Sequence, residues 1–231
     1  MKKLYRPDID ALRGYAVLFV ILYHANLVIS EKFYFSGGFI GVDIFFVITG
    51  FLITKILLKE YELNKSINII NFYERRFRRL IPTLTIILLA GTLLAYFVLE
   101  PTKLKHFSES VFASLIFVAN MYFHYFGNIY GTDSALMKPL LHLWSLGVEE
   151  QLYIIFPIGF FFILKYFRKY LVFFLILGFI VSLLFASSIA IRHEMFNFYM
   201  LPSRAWEIIA GSLAALFISK KKISLNYMTI N

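Results

Sequence analysis

Tyr5 to His24 reads YRPDIDALRGYAVLFVILYH, and this stretch decides the class of the protein. A charged opening runs into an almost unbroken apolar run that contains an imidazole. An apolar span has no structural need for histidine. A charged group at membrane depth costs ~2.5–3.5 kcal/mol on insertion scales, so ionisable residues there usually mark function. His24 follows Arg13 by eleven residues. At about 100° per residue that is roughly 20° beyond three full turns, so the two side chains share a helix face, roughly 16 Å apart along the axis. The pattern is a charged entry at one membrane surface and a titratable group deeper in.

The rest of the chain agrees with a membrane reading. Hydrophobic residues make up 60% of the 231 positions and charged residues 16%, and Phe alone occurs 27 times. A soluble domain of this size cannot hide that much apolar surface, so an all-α, polytopic helical bundle is expected. The absence of cysteine excludes disulfides, thiol catalysis and thiolate-bound metal. The first apolar run has no small-residue cleavage site after it and reads as a retained span. The net charge of +9 is spread between apolar runs, which encodes topology and argues against nucleic acid as a partner.

Six segments are long enough to cross a bilayer: about 14–30, 38–58, 80–99, 141–164, 171–190 and 203–219. A seventh, about 108–126, carries Ser108, Glu109, Ser110, Asn120 and His124 and is a poor span. If it does not cross and the N-terminus is cytoplasmic, 17 of the 23 basic residues fall inside. Six spans with both ends inside are therefore expected, with 108–126 on the outer surface or re-entrant. Residues 1–219 read as one membrane domain and 220–231 as a short basic polar tail.

Four further constellations carry chemistry. In GGFIGVDIFFVITG, residues 37–50, Asp43 is expected about five residues inside the outer end of its span, and His24 about six inside its own. Adjacent antiparallel helices would bring them level as a general base and its orienting carboxylate, or as a buried polar pair that specifies packing. Gly37, Gly38, Gly41 and Gly50 suit close helix packing. In FYERRFRR, residues 72–79, Arg75, Arg76, Arg78 and Arg79 are either topological charges or an anion clamp for a polyphosphorylated ligand or anionic lipid. In HLWSLGVEEQLY, residues 142–153, His142, Ser145, Glu149 and Tyr153 fall on one helical face. Glu149 and Glu150 suit a proton site, a hydroxylated acceptor or a helix N-terminus. A Ser145–His142 hydrolase dyad has no nucleophile elbow to support it. Near the end, Arg204 and Glu207 can pair at i,i+3 and Trp206 fits the interfacial aromatic belt, while Trp144 is a contact of substrate or structure.

Taken in order, these stretches resemble the acyltransferase 3 family of polytopic bacterial membrane proteins. The carrying motifs are residues 6–14 with the Arg13–His24 spacing, GVDIFFVITGFLI from Gly41, the Arg75–Arg79 run, residues 142–153, and SRAWEIIAG from Ser203. The resemblance implies transfer of an acyl group, often acetyl, from cytoplasmic acyl-CoA to a hydroxyl of an extracytoplasmic carbohydrate. Lipopolysaccharide O-antigen, peptidoglycan, exopolysaccharide and glycosylated small molecules are typical acceptors. It makes His24 the catalytic histidine, assisted by Arg13 and Asp43. Arg13 and the Arg75–Arg79 cluster then face acyl-CoA, and Glu149 and Glu150 join the catalytic candidates. Such an enzyme transfers groups other than amino-acyl groups and needs no cofactor, because a thioester is already activated. It sits in the bacterial inner membrane among lipid.

The family core has about ten spans, so the resemblance implies an incomplete member. Such a chain either takes missing spans from a partner chain or is an inactive binding or assembly subunit. A proton-coupled transporter using His24, Asp43 and Glu149 is the remaining reading, and no inverted repeat supports it.

Overall fold

The computed structural model describes residues 7–25, 27–29, 32–126 and 138–228. Lys2, Lys3, Arg6 and the last three residues of the expected tail lie outside the described residues, as do the side chains of Lys220–Lys222. The described residues are all-α apart from one small antiparallel pairing of Val28–Ile29 with Lys32–Phe33. Its helices are α1 (Pro7–His24), α2 (Ile40–Asn64), α3 (Ile69–Val98), α4 (Pro101–Leu115), α5 (Ala119–Phe126), α6 (Trp144–Tyr166), α7 (Leu171–Ile189), α8 (Glu194–Tyr199) and α9 (Leu201–Met228). α9 continues into the expected tail.

Five helical segments are long and apolar enough to cross a membrane: Ile40–Asn64, Ile69–Val98, Leu141–Tyr166, Arg168–Ile189 and Glu194–Ser219. They match five of the six expected spans. The sixth expected span, 14–30, is not among them; residues 26 and 30 of it lie outside the described residues. α1 begins at Pro7, where a proline at a first helical position costs no hydrogen bond, and Asp8 and Asp10 favour that N-terminus electrostatically. It therefore takes Asp8, Asp10 and Arg13 into its 18 residues and stops at His24. The doubtful segment 108–126 is broken. Phe117 adopts a left-handed φ of 58° between α4 and α5. The two helices have 15 and eight residues, each too short to span.

The chain divides into two compact units. The first contains the chain through Lys59, Lys169–Leu183 and the chain from Ala205. Glycines set its packing. A Cβ added at Gly41 would strike the Ala16 carbonyl oxygen and come within 2.8 Å of Val20 Cγ2, so α1 lies directly on α2. A Cβ at Gly50 would strike the Ile208 carbonyl, and one at Gly211 the Val47 carbonyl, so α2 and α9 cross backbone to backbone. Such approaches are how helices associate where no hydrophobic drive separates protein from lipid. α7 joins α9 through Gly178, 3.3 Å from Ile209 Cδ1 by the same construction, and through Ser182, whose Oγ accepts the Trp206 backbone N–H at 3.0 Å.

The second unit contains Glu60–Arg168 and Leu184–Arg204. The α2 end is sealed by the Lys65 N–H, which reaches the Tyr61 carbonyl at 2.8 Å, and Lys65 then turns the chain away with a left-handed φ of 55°. Asn68 caps α3 by accepting the Asn71 N–H at 3.0 Å. Tyr61 ties this end to α6 by donating to the Leu164 carbonyl at 3.1 Å.

Candidate active site

In the first unit, Ile9, Arg13, Ala16, Val20 and His24 step along α1 at intervals of three and four residues, forming one stripe. Ala16 and Val20 meet α2 at Gly41. Arg13 and His24 lie about 40–60° round α1 from the centre of that contact, on the same flank. Arg13 is half-buried and His24 exposed. The shared face expected from their spacing is present.

His24 is the last residue of α1, not one buried six residues inside a span. Its Nδ1 lies 2.8 Å from the Val20 carbonyl oxygen. A carbonyl only accepts, so Nδ1 carries the proton, and in the neutral ring Nε2 keeps its lone pair. The Tyr23 ring meets the imidazole edge-on at 5.2 Å. The ring is thus held in one tautomer with its basic nitrogen turned from the helix bond.

Asp43 sits in the first turn of α2, about 200° round that helix from Gly41. That places it on the far side of α2 from α1, within about 40° of Val47 and Gly50, which face α9. Among the described contacts the His24 ring bonds to the Val20 carbonyl, and none joins it to Asp43. The physical reason is the glycine seam, which commits the opposite face of α2 to α1. Glu207, on α9 in the same unit, is 1% exposed.

In the second unit the arginine run divides. Arg76 Nε donates to both Glu150 oxygens, at 2.8 and 3.1 Å, and Nη2 donates to Glu149 Oε1 at 3.0 Å and to Glu150 Oε1. Its guanidinium carbon lies 3.1 Å from the Tyr153 ring centre. Glu150 is 5% exposed, a burial that a paired charge tolerates and a lone one does not. Arg75, Arg78 and Arg79 are exposed and share an arc of about 100° on α3. Arg75 lies 3.6 Å from Glu60, and Arg78 pairs with Glu74 at 2.7 Å. The structure therefore brings together Arg76, Glu149 and Glu150, which the sequence reading had assigned to separate roles.

His142 belongs to a 3₁₀ turn, Leu141–Leu143, before α6 starts at Trp144, so it does not share the helical face expected for it. Ser145 Oγ donates to the His142 backbone carbonyl at 3.2 Å. Trp144 is buried, and Arg204 stacks over it at 5.8 Å and over Phe198 at 5.3 Å while donating to the Phe198 carbonyl at 3.1 Å. These contacts make Trp144 and Arg204 part of the α6–α8 packing.

One element was missed in the sequence. Gln151 Nε2 donates to Asn120 Oδ1 at 2.8 Å and to the Phe117 carbonyl at 3.1 Å, and Asn120 Nδ2 donates to the Tyr199 carbonyl at 3.1 Å. Asn120 is fully buried. The available signal was an amide in each of two apolar stretches, which hydrocarbon or core tolerates only with a partner. Gly147 leaves the space, since a Cβ there would lie 2.8 Å from Asn120 Oδ1.

A family model described as an acyltransferase domain matches residues 6–227. The chain belongs to the acyltransferase 3 family. Within it, a peptidoglycan O-acetyltransferase of Listeria monocytogenes is 43% identical over 153 residues, covering 66% of this chain and 24% of that protein. An O-acetyltransferase of Staphylococcus aureus is 37% identical over 164 residues, covering 71% of this chain and 26% of the relative. A putative O-acetyltransferase of another S. aureus strain is 40% identical over 158 residues, 68% of this chain and 25% of that protein. The chain thus spans about a quarter of the length of the curated relatives it matches. No solved structure matches it. The acyltransferase 3 match covers both units and every side chain described above.

Proposed function

We propose that this chain holds the membrane part of an O-acyltransferase. It moves an acyl group, often acetyl, from cytoplasmic acyl-CoA to a hydroxyl of a cell-envelope carbohydrate. Peptidoglycan is the first acceptor to test, because a relative carries that activity in its name. The observation that carries the reading is His24, with Nδ1–H held by Val20 and Nε2 left basic, on the α1 line of Arg13. In this scheme Nε2 takes the proton of the acceptor hydroxyl as its oxygen attacks the thioester carbonyl. The tetrahedral intermediate collapses, the carbon–sulfur bond breaks, and the CoA thiolate takes the proton back from the imidazolium. The products are an ester and free CoA. Arg75, Arg78 and Arg79 supply positive charge for the donor's phosphates. The thioester provides the activation, so no further cofactor enters. The setting is the bacterial cytoplasmic membrane with the N-terminus inside.

The test is transfer of label from acetyl-CoA in membranes containing the chain, with peptidoglycan fragments as acceptor, beside His24→Ala. Label on the glycan that disappears in the variant is expected. Equal turnover by a properly inserted His24→Ala protein removes the base assignment.

A further inference from the structure

The basic run of α3 looks uniform in sequence, yet its two faces have different surroundings. Phe72, Tyr73 and Arg76 all grip α6. The Phe72 ring stacks on Tyr153 at 6.0 Å, and Tyr73 donates to the Ile154 carbonyl at 2.9 Å. Arg76 bonds Glu149 and Glu150 and covers Tyr153. Arg75, Arg78 and Arg79 face outward.

Arg76 is already held by two carboxylates, and an approaching phosphate would have to displace one that is 5% exposed. The three outward arginines present no such barrier. Arg75 and Arg78 hold their carboxylates from largely exposed positions, where ion pairs are weak and exchange with other anions readily.

We propose that Arg76 is a positioning residue. It locks the N-terminal part of α3 to α6, and this sets the direction in which Arg75, Arg78 and Arg79 meet the phosphates of the acyl donor. The inference rests on the acyl-CoA reading above for its ligand, and on the Arg76–Glu150 geometry alone for the lock.

The full chain is purified in detergent, and CoA affinity and Tm are measured together. The triple variant Arg75→Gln/Arg78→Gln/Arg79→Gln is expected to lose about tenfold or more in CoA affinity at nearly unchanged Tm. Arg76→Glu is expected to lower Tm, and the charge swap Arg76→Glu/Glu150→Arg to recover much of the loss. CoA affinity in the swap should stay within about threefold of wild type, the usual scatter of independent sites. A glutamate at position 76 cannot hold phosphate. A swap that folds with wild-type Tm but loses CoA affinity tenfold therefore overturns the proposal. Arg76→Lys guards against a swap that fails to fold, since it keeps the charge and loses the fork. Lower Tm with weaker CoA binding supports the positioning lock; lower Tm with unchanged affinity, or lost affinity at unchanged Tm, overturns it. If wild-type protein binds no CoA, the donor reading falls by itself. The Tm of Arg76→Lys then still decides the lock, which fails if that Tm matches wild type.

Discussion

Replacing Gly50 or Gly211 by alanine is the sharpest test of how the first unit is built. A Cβ at Gly50 falls on the Ile208 carbonyl oxygen, with its carbonyl carbon at 2.7 Å and Cα at 3.0 Å. A Cβ at Gly211 falls on the Val47 carbonyl oxygen, with the Val47 carbonyl carbon and Phe51 N at 2.8 Å. Carbon atoms settle at about 3.5–4.0 Å, so either methyl requires the axes of α2 and α9 to part by roughly 1 Å. A gap of that size forfeits up to about half of the dispersion energy of each contact along the seam. Overpacking costs ~1–3 kcal/mol. The blocking atoms here are backbone and cannot rotate aside, so about 3 kcal/mol applies. Alanine's helix propensity returns about 1 kcal/mol, leaving roughly 2 kcal/mol of net destabilisation against a total of about 5–15 kcal/mol. Gly14 and Gly159 are the internal controls, because an added Cβ at either meets nothing within 4 Å. Gly159→Ala should be neutral or slightly stabilising. Thermal unfolding of the four variants in one detergent reads the comparison directly. If Gly50→Ala and Gly211→Ala are as stable as Gly159→Ala, α2 and α9 do not cross at these residues, and the placement of Asp43 on the α9-facing side falls with that crossing.

Removing Glu150 should be far more damaging than removing an exposed partner of the same run. Glu150→Ala leaves the Arg76 charge poorly compensated and is expected to cost ~3–5 kcal/mol, against about 0.3–0.5 kcal/mol for Glu74→Ala, whose Arg78 partner is exposed; denaturant titration separates the two. Asn120→Leu strands the Gln151 donor and the Tyr199 carbonyl and should lose about 1–3 kcal/mol by the same assay. The His106 hydrogen bond at 3.2 Å holds the Glu109 carboxyl below its usual pKa, with Tyr122 adding a second bond at 3.1 Å. Because that pKa is depressed, the contact stabilises the α4–α5 region above the ordinary glutamate value of about 4.3 and is lost as pH falls through the lower folded value. His106→Ala should raise the Glu109 midpoint in a carbon-detected NMR titration, and an unmoved midpoint refutes the pairing. A topology reporter fused after Phe126 should sit outside the cell. A cytoplasmic signal there overturns the six-crossing arrangement with its inside N-terminus.

The membrane class, five of the spans and the poor spanning character of 108–126 were legible because apolar length and polar content are local properties of a chain. The Arg13–His24 line was legible for the same reason, since helix periodicity converts spacing into direction. The start of α1 was missed by reading where the apolar run began, at Gly14, although Pro7 with Asp8 and Asp10 is an N-terminal signal in its own right. The His24–Asp43 pairing was not legible, for a deeper reason. Similar depth on neighbouring helices says nothing about azimuth, and azimuth was set by which glycines touch which helix. Gly41 faces α1, so Asp43, two residues on, cannot. Partner choice within the arginine run is likewise non-local. Four like residues in five positions give no hint that one of them meets two glutamates more than seventy positions away.

The placement of His24 alters what the imidazole needs from its surroundings. A histidine in mid-span would require a carboxylate to fix its tautomer and to oppose the charge it gains with a proton. At the last residue of α1 the first task falls to the helix itself. The Val20 carbonyl fixes Nδ1–H at 2.8 Å, as the orienting carboxylate does in a hydrolytic triad. The Ala25 N–H closes the same turn on the Ile21 carbonyl at 2.8 Å. Asp43 lies in the first turn of α2, on the side of that helix that meets α9, where the positive helix end favours a carboxylate. On this geometry His24→Ala and Asp43→Asn should differ in kind: the first removes the base, while the second leaves a working imidazole and acts through the α2–α9 crossing.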